Sequence, residues 1–76
     1  MAIVWVQNEE TYYATVQQGD QAYHIVVEKI PGRIHWDWTA WRRGEPPQSA
    51  KTGVASTAES ARVNAETVAN NELSSG

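Results

Sequence analysis

The chain has no cysteine and no phenylalanine, and only six of its 76 residues are lysine or arginine. Without cysteine there is no disulfide framework, no thiolate metal site and no cysteine nucleophile. No stretch approaches the ~20 apolar residues of a membrane span, and "MAIVWVQNEE" lacks the basic start and long apolar core of a signal peptide. The expectation is a soluble cytoplasmic protein with no membrane partner. Six basic residues against nine acidic ones leave a net charge of −3 and a pI near 5.2, which disfavours nucleic-acid binding driven by excess lysine and arginine. Neither GxGxxG nor GxxxxGK spacing occurs, so no phosphate-cradling loop is expected, and no GxSxG motif offers an activated serine.

What the chain does have is tryptophan and tyrosine, four and three residues respectively. A domain of this length buries a limited share of its surface, so bulky rings must supply much of its core. One small domain over residues 1–73 is expected, followed by a disordered tail at 74–76.

The first half of the sequence alternates. "TYYATVQ" from Thr11 and "QAYHIVVEKI" from Gln21 to Ile30 are rich in β-branched and aromatic residues at period two, with "QQGDQ" as the turn between them. "PGR" interrupts the second run, and alternation resumes from Ile34 to Arg43. Gly44 and the Pro46-Pro47 pair then end that strand. A short edge piece is expected around Ala50 to Val54, while the opening "AIVWV" reads either as a separate strand or as an extension of the first.

From Ser56 the period changes. Ser56 followed by Glu59 matches a capping box, and Ala58, Ala61, Ala65, Val68 and Ala69 form a narrow stripe of mostly small residues. The fold class is therefore α+β: a three- to four-stranded antiparallel meander with one C-terminal helix packed on one face. A slim helix face leaves volume for the sheet to fill. In "HWDWTAWRR" alternation sends Trp36 and Trp38 inward and Trp41 outward.

The outward face then carries His24, Val26 and Glu28 beside His35, Asp37, Thr39 and Trp41. Two histidines and a carboxylate are a conceivable zinc set, but HxH and HExxH spacings are absent and simple cross-strand pairing is the expected role, so no metal or cofactor is assigned. Glu9 and Glu10 are adjacent in an extended run and point to opposite faces, so they cannot flank one substrate atom. With little chain to build a pocket, no enzyme is expected. Gly53, in "TGVAST", reads as a chain reversal ahead of the helix.

The candidate binding residues are Trp41, Arg42, Arg43, His35, Asp37 and His24. An indole beside guanidinium groups suits a protein interface or a nucleic-acid base. The strand, strand, strand, helix order is similar to small β-β-β-α modules, including the DNA-binding domains of phage-type integrases and plant AP2 factors. That resemblance is one of topology, and implies a sheet face that reads the major groove. Asp37 and Glu28 occupy the middle of that face here, where phosphates would repel them. The leading expectation is accordingly a protein-interaction module or homodimer acting through the open sheet face, of the kind encoded as a short bacterial or phage accessory protein. An acidic nucleic-acid mimic is a weaker variant, because the acidic residues are spread evenly. Sheet-mediated nucleic-acid binding through Lys29, Trp41, Arg42 and Arg43 is the alternative.

Overall fold

Two-residue reversals set the first half of the chain. β1 (Val4–Asn8) turns at Glu9-Glu10 into β2 (Thr11–Gln18), and Gly19-Asp20 turns β2 into β3 (Gln21–Lys29), with Asn8 opposite Thr11 and Gln18 opposite Gln21. β4 (Trp36–Arg42) and β5 (Lys51–Ala55) complete a five-stranded antiparallel sheet in the order β1-β2-β3-β4-β5, and α1 (Ala58–Ser75) follows. This computed structural model describes residues 3–75.

The α+β class and the antiparallel meander are as expected, but the sheet has five strands rather than three or four. The opening segment is a strand of its own because the tight turn at Glu9-Glu10 folds it back along β2. Residues 51–55 add the fifth strand along β4, with Gly53 opposite Trp38. β4 also starts later than expected. The Ile30 N–H donates to the His35 carbonyl at 3.1 Å and the Arg33 N–H to the Ile30 carbonyl at 3.1 Å, closing a loop in which Ile34 and His35 are exposed.

α1 lies chiefly across β3 and β4. Ala61, Ala65 and Ala69, four residues apart, are fully buried, and Leu73 continues the line one turn on. Methyl-sized side chains let the helix axis approach Ile25, Val27 and Ala40. α1 runs through Ser75 with Leu73 buried, and Gly76, the last residue of the expected tail, lies outside the described residues. The cap is one residue later than the capping box implied: Thr57, not Ser56, accepts the Ser60 N–H at its hydroxyl, at 3.1 Å.

Trp38 and Gly53 are packed as a pair. A Cβ at Gly53 would lie 2.5 Å from two carbons of the Trp38 indole, so glycine in mid-strand leaves room for the ring. The expected chain reversal at Gly53 does not occur. Trp36 is half-buried and tilts against Tyr12, with ring centroids 5.9 Å apart. Trp5, from β1, closes the side of the core. Its indole N–H donates to the Glu66 carboxylate, and the Arg62 guanidinium sits over both Trp5 and Tyr12. No helix among the described residues is long and apolar enough to cross a membrane.

Candidate functional site: the bare face of the sheet

Alternation sorts every strand residue to the helix side or to the open side. On the open side the register builds three rows across the strands. Val4, Thr15, His24 and Trp41 form the first; Val6, Tyr13, Val26, Thr39 and Thr52 the second; Asn8, Thr11, Glu28, Asp37 and Val54 the third. The first two rows hold an apolar strip. Val4 is 71% exposed, Val6 58% and Tyr13 44%, and with His24, Val26 and Trp41 they line a shallow depression of about 510 Å³.

Trp41 faces outward as its position in the alternation requires, but it is half-buried because it leans on its cross-strand neighbour. The His24 and Trp41 rings lie 5.6 Å apart at 40°, and His24 Nδ1 is 3.2 Å from the Thr15 hydroxyl. Strand pairing thus fixes the indole at one end of the strip. Asp37 is exposed in the third row and directly opposite Glu28. Like charges in that relation repel.

Arg43 follows β4. Its N–H bonds to the Ala22 carbonyl at 2.9 Å, extending the ladder by one residue, so alternation places Arg43 on the open side at the end away from Glu28 and Asp37. Arg42 does not join it. As the intervening residue it lies on the helix side, with its guanidinium 5.4 Å from the Tyr23 ring centroid and hydrogen-bonded to Gln21 and, at 3.1 Å, to the Glu72 carbonyl. His35 is likewise off the face, in the loop before β4.

The expected group therefore divides. His24, Asp37, Trp41 and Arg43 share the open face, whereas Arg42 and His35 do not. Val4, Val6 and Tyr13, which are not among the expected binding residues, belong to the strip. For Val4 and Val6 the signal was the alternation of "AIVWV" around Trp5, which becomes informative once β1 is paired with β2 and so brings them beside Tyr13.

No three histidines or carboxylates converge on a cation among the described residues. His24 pairs with Trp41, Glu28 with Asp37, and His35 sits outside the strand, so the two histidines and the carboxylates are not brought together. A polar cleft of about 270 Å³ on the helix side is lined by Tyr23, Arg42, Glu45, Ser49, Lys51 and Glu72. Four of its residues are engaged around Glu72: the Tyr23 hydroxyl donates to its carboxylate at 3.3 Å, Lys51 lies 3.6 Å from the same carboxylate, and Arg42 donates to its backbone carbonyl. Burial, reinforced by the Glu72 charge, pushes the Tyr23 hydroxyl above its ordinary value of 10.0. The cleft ties the last turn of α1 to the sheet.

No family model matches the chain, and neither a curated protein nor a solved structure matches it.

Proposed function

We propose that this protein is a non-enzymatic interaction module, acting in the cytoplasm, that binds a protein partner through the open face of its sheet. The observation that carries this reading is the strip formed by exposed Val4, Val6 and Tyr13 and half-buried Val26 beside Trp41, on the one side of the sheet that the helix leaves bare. Contiguous apolar surface in contact with water marks an interaction site, and tryptophan, tyrosine and arginine are the residues that most often anchor one. The depression is broad and shallow, a shape that suits a protein surface better than a small substrate. The nucleic-acid alternative is weakened by the same geometry, because Arg42 faces the helix and two carboxylates occupy the middle of the third row.

Photo-crosslinking in expressing cells tests the reading. A benzophenone amino acid in place of Tyr13 should give protein adducts, while the same probe in place of Val63, exposed on the helix, should give none. Absence of protein adducts from position 13, or adducts to nucleic acid there, would overturn it.

A further inference from the structure

We infer that the occupant of the open face is a second copy of this chain, with two sheets stacked face to face about a two-fold axis that runs across the strands. The inference rests on the interaction reading above and names its partner.

Charge placement carries it. Among the outward positions of the ladder the charged residues are Glu28 and Asp37 at one end and Arg43 at the other, with the apolar rows between them. A two-fold axis lying in the interface and crossing the strands between the first and second rows keeps each strand over its own copy and reverses its direction. Arg43 of one copy then meets Asp37 of the other, one strand spacing from Glu28. The same operation lays the row of Val4, His24 and Trp41 on the row of Val6, Val26 and Thr39. An axis parallel to the strands would instead set the acidic row against itself.

The pairing also resolves a feature that a lone chain leaves unfavourable. Glu28 and Asp37 are direct cross-strand neighbours of like charge on a bare surface, and each copy's Arg43 supplies the cation between them. The match is isologous, the arrangement that makes closed dimers. Area is sufficient as well. The molecule measures 38 × 26 × 17 Å, and the thin direction accommodates one sheet and one helix. A broad side of those dimensions can supply the roughly 800 Å² per partner of a standard specific interface. Two twisted sheets would stack aligned, at about 30°.

Charge exchange between copies tests the proposal. Along one strand, residues 37 and 43 are roughly 20 Å apart, so they cannot pair within one chain. Sedimentation equilibrium of the purified protein at tens to hundreds of micromolar should show a dimer. Arg43→Glu alone and Asp37→Arg alone should each weaken it, roughly tenfold. An equimolar mixture of the two variants should recover association, because each interface contact then joins opposite charges. Circular dichroism melting of the single variants shows whether they stay folded, as exposed substitutions should.

A monomeric parent would overturn the second copy as partner, and so would a dimer insensitive to either reversal or a mixture that does not recover. Adducts from position 13 to a different protein, found with a monomeric parent, would remove this inference and leave the interaction reading standing. Loss of both adducts and dimer would remove the two together.

Discussion

The two faces of one sheet are built from similar residues and have opposite fates. The helix side places Ala14, Ile25 and Ala40 in one row and Val27, Trp38 and Gly53 in the next, under a helix whose buried line is Ala61, Ala65, Ala69 and Leu73. The open side places valines, threonines, a tyrosine and a tryptophan in equally regular rows with no element over them, leaving Val4, Val6 and Tyr13 exposed and Val26 and Trp41 half-buried. Burial on the first side is achieved by matching volumes, a ring against a missing Cβ and a sheet against a stripe of methyl groups. Alternation alone therefore does not decide what is core. The slim helix decides it, because one helix covers one face, and the second face remains a surface made of core-type residues.

Substitutions that probe the two faces should separate cleanly. The largest effect is expected on the helix side: Trp38→Ala removes a buried indole, and urea titration should show a loss of about 3–5 kcal/mol, most of the stability of a small domain. A loss under about 1 kcal/mol would mean that the ring does not anchor the core. Next comes Gly53→Ala, which drives a methyl group into that ring. The ring must shift, at a cost of about 1–3 kcal/mol, with a downfield or upfield change in the indole N–H resonance as a second readout. An unchanged melting midpoint would remove the close approach of ring and backbone.

On the open side the effect should be smaller. Trp41→Ala, made in the Arg43→Glu chain so that association does not contribute, should cost about 1 kcal/mol, because only one side of the indole is covered. A loss equal to that of Trp38→Ala would reverse the faces.

The smallest effect is one of pH. Burial and the neighbouring Glu72 raise the Tyr23 hydroxyl in the folded chain above its value of 10.0 in the open chain. Its stabilising contribution is thus fully present below pH 10 and is lost as pH climbs through the raised value, since the unfolded chain then releases its proton more readily. Urea midpoints measured from pH 9 to 11 should fall more steeply for the parent than for Tyr23→Phe. Equal slopes would argue that the hydroxyl is not held by burial and Glu72.

Much of this architecture could be read from local pattern. Period two in "TYYATVQ" and "QAYHIVVEKI", turn chemistry at Gly19-Asp20 and the alanine spacing after Ser56 each act within a few residues, and each produced the element expected. The inward placing of Trp36 and Trp38 and the outward placing of Trp41 followed from the same local rule. What was not legible depended on partners distant in sequence. β1 became a strand of its own only by pairing with β2, which brought Val4 and Val6 beside Tyr13. Gly53 is explained by Trp38, fifteen positions earlier in the chain, and a turn-like "TGVAST" gave no hint of it. Arg42 and Arg43 looked like one basic pair, yet adjacent residues in a strand face opposite ways, so the sheet itself separates them. His35 left the face because a loop closes between Ile30 and His35 before β4 begins.

One strained position shows the same division between local and distant causes. Glu9 has a positive φ of 57° in the turn between β1 and β2, a conformation costly for a residue with a side chain. The turn is accepted because the pairing of Asn8 with Thr11 and of the residues behind them requires so short a connection.

The proposed dimer covers the bare face with its own copy in one defined register. Its most direct test is an isotope-filtered NOE experiment on an equimolar mixture of labelled and unlabelled chains at about millimolar concentration. Intermolecular contacts are expected between the methyl groups of Val4 in one chain and Val6 in the other, and between the His24 ring and Val26. Absence of intermolecular contacts, or contacts arising from Val63 on the helix, would contradict it.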